Sequence, residues 1–189
     1  MILSEENVTF GRMQNVKRRF FALRNGITAD IYRRAGAPYK VIFGLDMVQL
    51  AEVGKATGID VDLAEALWAN DTTRESRLLA PMVMDVDRMG IERAIDWIKG
   101  VKSCEEADVM CHKLLRRLPY VTKLVDVFKD SPKDMERYVS IRLIANLVSL
   151  GRIDMDYMAA LKAEKKRSCV ITERLCSQVI DEINFIEGV

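Results

Sequence analysis

The feature that most constrains the fold of this chain is a helical periodicity that runs through nearly its whole length. Apolar residues recur every three or four positions, and no segment sustains the alternation of a half-buried strand. Glycine and proline number only ten and four in 189 residues, and they mostly mark breaks between periodic stretches. The pattern therefore predicts an all-α protein with ten or so helices of roughly 8–18 residues.

Turn and capping signals place the helix boundaries. The expected longer helices cover residues 10–23, 47–56, 61–68, 73–84, 91–98, 104–118, 120–128 and 133–150. A short helix should end near Ile31, another should begin at Asp154 or Asp156, and the last should reach Ile186. Ser103 and Glu106 have the spacing of a capping box. The helix at 133–150 is apolar on most sides, which predicts a central position.

Short connections between these helices favour antiparallel neighbours. Similar helix pairs recur at 71–98, 103–128 and 133–163, which is the spacing of HEAT-type repeats. We therefore expect a single helical-repeat domain over residues 1–189, an armadillo-like α-α superhelix or short solenoid. A compact helical bundle is the alternative architecture.

The charge pattern restricts the classes of partner. The formal net charge is only +1, yet residues 1–40 hold eight Lys/Arg against three acids. Further basic clusters lie at 113–123 and 162–167. Such clusters predict an anion-binding face, with solvated helix surface as the alternative. No apolar run reaches the ~20 residues of a membrane span and no signal-peptide pattern is present, so we expect a cytoplasmic protein without membrane contact.

The cysteines give no support for a metal site or a disulfide framework. Cys104 and Cys111, like Cys169 and Cys176, are seven residues apart, and no CxxC motif is present. On a helix that spacing separates the two thiols by about 10 Å, which is too far for a bridge within a pair. His112 is the only histidine in the sequence. We expect reduced thiols, no bound metal and no cofactor.

Three segments carry a more specific signal. They read YKVIFGLDMVQLAEVGKATG at 39–58, LAEALWANDTTRESRLLAPMVMD at 63–85 and DWIKGVKSCEEADVMCHKLLRRLP at 96–119. The first two resemble a Tyr…Gly…Leu…Ala pattern and a Leu-Trp…Arg-Glu…Ala signature of the DNA alkylation repair family, the AlkD-like DNA glycosylases built from HEAT-like repeats. The third resembles the family segment that bears the catalytic-site aspartate. The likeness covers about Arg24 to Leu150.

The resemblance implies a protein that holds double-stranded, alkylated DNA on a basic concave face. It further implies a DNA glycosylase that excises cationic purines such as 3-methyladenine and 7-methylguanine. Asp108 falls at the family's aspartate, which would stabilise positive charge developing on the deoxyribose, and Arg142 falls near its lesion-side arginine. Cys104 stands where the family has a tryptophan, and no tryptophan follows Trp97. A thiol supplies no aromatic face, so the resemblance leaves catalytic activity open.

The residues themselves suggest which side chains bind DNA. Candidate phosphate contacts are Arg77, Lys113, Arg116, Arg117 and Arg142, with ordinary solubilising charge as the alternative.

Two further groups of residues qualify this prediction. Asp108 lies at the edge of an apolar stripe, and His112 follows one turn later as an acid–base or solvated ion-pair partner. Arg142, Asn146 and Ser149 form a polar stripe on the otherwise apolar helix at 133–150, which indicates a functional groove.

Two functions therefore remain open at the level of sequence. The first is a DNA-binding protein of the alkylation repair type, with or without N-glycosylase activity. The second is a non-catalytic HEAT-like repeat scaffold that binds protein or DNA. Ten methionines and a near-zero net charge suit the second function.

Overall fold

The computed structural model describes residues 5–152 and 155–188, and within these ranges the chain is all-α, as the periodicity predicts. The eleven α-helices described there are α1 (Glu5–Ala22), α2 (Gly26–Arg34), α3 (Met47–Thr57), α4 (Val61–Ala69), α5 (Arg74–Val83), α6 (Ile91–Lys99), α7 (Cys104–Lys113), α8 (Val121–Phe128), α9 (Asp134–Val148), α10 (Met155–Lys166) and α11 (Val170–Glu187). A single 3₁₀ turn, Leu115–Arg117, follows α7. The boundary expected at Asp154 lies outside the described residues.

The chain divides into two compact units, Met1–Met89 and Gly90–Val189. The first unit contains α1–α5 and the second contains α6–α11. The single domain expected over residues 1–189 stays a prediction.

The first unit has α5 against both α3 and α4, and α1 against α4. Local signals set its helix starts: Asp46 and Gln49 form a complete capping box for α3, and the Asp60 side chain caps α4. Leu50, Leu63 and Leu67 are fully buried between these helices. The inward apolar stripe of each helix therefore provides the core that the sequence predicts.

A buried polar network ties the loop before α3 to the start of α5. The Glu75 carboxylate accepts hydrogen bonds from the backbone N–H of Phe43 at 3.0 Å and of Gly44 at 2.9 Å, and it pairs with Arg74 at 3.0 Å. Arg74 also donates to the Leu45 carbonyl at 3.0 Å. Gly44 has φ +82° and lies too close to the Asn25 backbone for any Cβ. This network closes the loop without leaving the buried charge unpaired.

The second unit is organised around α9, which packs against α7, α8 and α11 and confirms the central position expected for 133–150. The sequence predicts that α9 pairs with the helix that follows it. In the structure, α10 packs mainly against α11 instead. A buried ion pair still joins α9 to α10, with Arg137 Nε 2.8 Å from Glu164. Thr172 of α11 donates to the same carboxylate at 2.8 Å. Polar contacts therefore supplement the apolar core here.

The expected helix 104–118 ends at Lys113 and gives way to the 3₁₀ turn. Pro119 disfavours helical backbone at Leu118, whose ψ is 138°, so the last turn tightens before the chain leaves. One half of the expected capping box is present, because the Ser103 side chain accepts from the Glu106 N–H. The Glu106 carboxylate accepts from the Lys102 N–H.

Three further expectations can be compared with the structure. Trp68 and Trp97 are buried, as expected for packing residues. All four cysteines are free thiols. Within residues 5–152 and 155–188, no helix has both the length and the apolar character needed to cross a bilayer.

Candidate functional site

The candidate site lies within the second unit, where α7 packs against α9. The Cys111 thiol on α7 donates a hydrogen bond to the Val139 carbonyl on α9 at 3.8 Å, which links the two helices. Asp108 stands one turn before Cys111 at the edge of the buried face of α7, and its side chain is 42% exposed. The predicted edge position therefore gives this carboxylate access to solvent.

Two residues of α9 hold the Asp108 carboxylate. Arg142 Nε lies 2.6 Å from Oδ1, a charge contact in which the N–H does not point at the oxygen. The Tyr138 hydroxyl donates to the same Oδ1 at 2.9 Å, and it accepts from Arg142 Nη2 at 3.1 Å. In the described chain Asp108 makes its contacts through Oδ1, which leaves Oδ2 for solvent or a ligand.

Burial and charge set the protonation states in this cluster. Burial lowers the pKa of Arg142, but the Tyr138 hydroxyl and the Asp108 charge outweigh it and the pKa is raised. Burial raises the pKa of Tyr138, which keeps the phenol a neutral donor. Burial, followed by the charge of Asp108, also raises the pKa of the Cys104 thiol. Cys104 is therefore a poor nucleophile as well as no substitute for an aromatic ring.

The pairing of Asp108 with His112 expected from their spacing is replaced by the contacts with α9. Burial lowers the His112 pKa first, and the charges of Arg116 and Lys113 lower it further. A histidine beside a carboxylate would show the opposite effect. His112 thus belongs to the basic end of α7, and the Asp108 carboxylate is directed at Tyr138 and Arg142.

Of the predicted DNA contacts, four lie in this second unit and one does not. Lys113 and Arg116 are half-buried and Arg117 is exposed, all at the end of α7 or in the following 3₁₀ turn. Lys113 follows Asp108 by about 7–8 Å along the helix axis. Arg142 is 28% exposed. Lys113 thus lies on α7 with Asp108, Arg142 lies on α9, and Arg116 and Arg117 lie in the 3₁₀ turn between α7 and α8.

Arg77 is placed differently. It is 3% exposed in the first unit, its guanidinium lies 3.3 Å from the centroid of the Trp68 ring, and it donates to the Trp68 carbonyl at 2.8 Å. A buried guanidinium stacked on an indole stabilises α4 against α5. This burial does not favour a phosphate contact, so Arg77 is not part of the surface proposed below and its predicted contact with DNA stays a prediction.

The polar stripe expected on α9 serves more than one purpose. Arg142 joins the Asp108 cluster, while the exposed Ser149 donates to the Ala145 carbonyl at 2.9 Å and to Glu182 of α11 at 3.3 Å. Asn146 is half-buried, and its Nδ2 has no hydrogen-bond partner among the described residues. Arg142 at one end of the stripe thus belongs to the site, and Ser149 at the other end contacts α11.

Tyr138 belongs to the site although no sequence motif marks it. Its one signal is a spacing of four residues before Arg142, which places both side chains on one face of α9. The ring is 5% exposed, so its hydroxyl positions Asp108 while its aromatic face stays inside the protein.

The arrangement has defined chemical capabilities. The carboxylate and the guanidinium form a pair whose charges largely cancel at a distance, and the adjoining end of α7 adds three cations. In the described ranges no three His, Cys, Asp or Glu side chains gather as a metal site would require. The site therefore combines hydrogen-bonding capacity with a partly exposed guanidinium, and three more cations follow Asp108 along the chain.

Comparison with known proteins identifies the fold and the family of this chain. The chain shares its fold with a solved protein described as belonging to a new family related to the HEAT-like repeat DNA glycosylases, with affinity for branched DNA structures. The TM-score is 0.77 at 17% identity, with 90% of this chain and 75% of that chain covered. This likeness confirms the HEAT-like helical fold. No curated protein matches this sequence. A family model described as "DNA alkylation repair enzyme" matches residues 16–166, and the chain therefore belongs to the DNA alkylation repair family.

Proposed function

We propose that this protein binds DNA through a surface of its second unit. This α7–α9 surface comprises Asp108, Lys113, Arg116, Arg117 and Arg142. The observation that carries the proposal is the Asp108–Arg142 ion pair at 2.6 Å, partly exposed and adjoined by the basic end of α7. A guanidinium that is already oriented and only partly desolvated can exchange a carboxylate for a phosphate. The family supports DNA as the source of that phosphate.

The proposed ligand is duplex DNA, with branched DNA as a second form to be compared. The solved neighbour is described as having affinity for branched DNA structures, which makes a four-way junction an informative probe. Phosphate contacts by lysine and arginine position a protein on DNA without reading sequence. We therefore expect little preference among base sequences.

Removal of cationic alkylated purines is the second candidate function. It is favoured by Asp108, whose Oδ2 is available and which the sequence resemblance predicts to be the family's aspartate. As the N-glycosidic bond breaks, its electron pair leaves with the cationic base, which becomes neutral, and positive charge develops on the sugar. Water then adds at C1′ and loses a proton to solvent. A carboxylate near the sugar would stabilise that charge. Arg142 offsets the field of Asp108, and Cys104 provides no ring beside it. These two features favour binding over excision.

A titration with fluorescently labelled duplex tests the binding proposal. The variant Lys113→Gln/Arg116→Gln/Arg117→Gln is expected to bind on the order of 100-fold more weakly near 0.1 M salt, because up to three phosphates are then left without a cationic partner. The matched control is Lys162→Gln/Lys165→Gln/Lys166→Gln, which removes three exposed charges from α10 of the same unit. Equally weakened binding in both variants would show that only total charge matters and would contradict the proposed surface.

A separate assay tests excision. Methylated duplex is incubated with the wild type and with Asp108→Asn, and released 7-methylguanine and 3-methyladenine are measured. Release that depends on Asp108 would establish the second candidate function. If the wild type releases neither base while it binds duplex, the function is DNA binding without excision. The partner protein expected for a scaffold stays a prediction.

A further inference from the structure

An exposed apolar groove in the first unit has no role in the proposed DNA surface. Two adjoining depressions, of about 340 and 360 Å³, meet at Glu52 on the outward side of α3. Leu23, Val53 and Ala56 line one of them, and Met47, Val48 and Ala51 line the other. We call these depressions the α1–α3 groove. Each has room for a large apolar side chain, and Val48 is 68% exposed.

The border of this groove is mainly basic. Arg19 and Lys55 line it, opposed by Glu52. The adjoining segment 11–25 holds five Lys/Arg and no acid. An apolar groove with this border fits an amphipathic helix that carries acidic residues beside its apolar ones. The Glu52 carboxylate and the aliphatic lining fit a nucleic acid less well, since neither offers a stacking ring or a phosphate contact.

The chain itself carries a helix segment of that composition. Residues 175–188, which are the last part of α11 and its C-cap Gly188, contain Asp181, Glu182 and Glu187 and no Lys/Arg. Phe185 and Ile186 lie between these acids and are 86% and 51% exposed. Two adjacent large apolar side chains at such exposure indicate an interaction site. We call residues 175–188 the acidic α11 segment.

We propose that the acidic α11 segment of one copy docks into the α1–α3 groove of a second copy. Phe185 and Ile186 fill the two depressions, and the flanking acids face Arg19 and Lys55. The two surfaces differ in shape and in charge sign, so the contact is between unlike surfaces. The inference goes beyond DNA binding and does not depend on it.

The test is the mass of the protein in solution, measured by sedimentation from about 1 to 100 µM. The wild type is expected to exceed its 21.5 kDa monomer mass as concentration rises, less so at high salt. The groove variant Leu23→Ser/Val48→Ser and the segment variant Phe185→Ser/Ile186→Ser should each raise the dissociation constant about tenfold or more. These side chains are exposed, so folding should be preserved.

Mixing the two variants gives the decisive result. One variant retains an intact groove and the other an intact segment, so an equimolar mixture should regain association that neither shows alone. Ile27→Ser/Ile31→Ser on α2 is the matched control, because it removes two exposed apolar side chains outside the groove. A wild type that stays monomeric overturns the proposal. So does a mixture without association, or a groove variant that loses DNA affinity instead of self-association.

Discussion

Replacing Asp108 by asparagine should strengthen DNA binding, even though the sequence resemblance predicts that Asp108 is the family's aspartate. In the free protein Oδ1 lies 2.6 Å from Arg142 Nε and accepts from the Tyr138 hydroxyl at 2.9 Å. An asparagine keeps the size of the side chain and removes its charge. Arg142 is 28% exposed, so it remains solvated and becomes free to contact a phosphate.

The size of the gain follows from counterion release. One additional phosphate contact changes the slope of log K against log salt by about −0.9. Relative to a 1 M reference, this amounts to about eightfold tighter binding at 0.1 M salt. Removal of the repulsion between the carboxylate and a nearby phosphate acts in the same direction. We therefore expect Asp108→Asn to bind unmodified duplex roughly 5- to 10-fold more tightly at 0.1 M salt.

Fluorescence anisotropy over a series of salt concentrations measures both the affinity for duplex and the slope of log K against log salt. Asp130→Asn is the control, because Asp130 pairs with Arg167 at 2.9 Å away from the α7–α9 surface. The same gain should vanish when Asp108→Asn is combined with Arg142→Gln, since no guanidinium is then released. Unchanged or weaker binding by Asp108→Asn, with a normal fold, would refute the masking of Arg142 by this carboxylate.

Two further results are expected. Glu75→Gln should destabilise the protein by about 3–5 kcal/mol in urea denaturation, because it removes the charge of a buried carboxylate that pairs with Arg74 and accepts from two backbone N–H groups. The exposed Glu52→Gln should change stability by less than about 0.5 kcal/mol, and similar values for both variants would contradict the buried network. His112, whose pKa is lowered by burial and by two neighbouring cations, gains its charge only as the pH falls below its ordinary value of about 6.5. DNA affinity should therefore rise as the pH falls below about 6.5, and an equal rise in His112→Gln would rule this residue out as the cause.

The fold could be predicted from the sequence because its determinants are local. Helical periodicity, the caps at Asp46 and Asp60, and the break at Pro119 act over a few residues, and each has the expected effect in the structure. Even the difference at the end of α7 has a local cause, since proline restricts the residue before it. The central position of α9 followed from its apolar character on most sides.

The contacts of the candidate site could not be derived in the same way. Spacing along α7 suggested His112 as the partner of Asp108, but the partners are 30 and 34 residues away on α9. Likewise, charge alone does not distinguish Arg77 from Arg117. The guanidinium of Arg77 is buried because α4 packs on α5, and the sequence does not reveal that packing. Sequence patterns report charge and helical face, whereas the choice among partners depends on how helices pack.

The slope of log K against log salt for duplex DNA tests the central claim most directly. For the wild type we expect a linear decrease in affinity with salt. In Lys113→Gln/Arg116→Gln/Arg117→Gln the slope should become shallower by about 0.9 for each phosphate that is no longer neutralised, or by up to about 2.7 in total. In the control variant of α10 the slope should stay at the wild-type value. A wild type whose affinity does not depend on salt, or a triple variant with an unchanged slope, would contradict DNA binding by the α7–α9 surface.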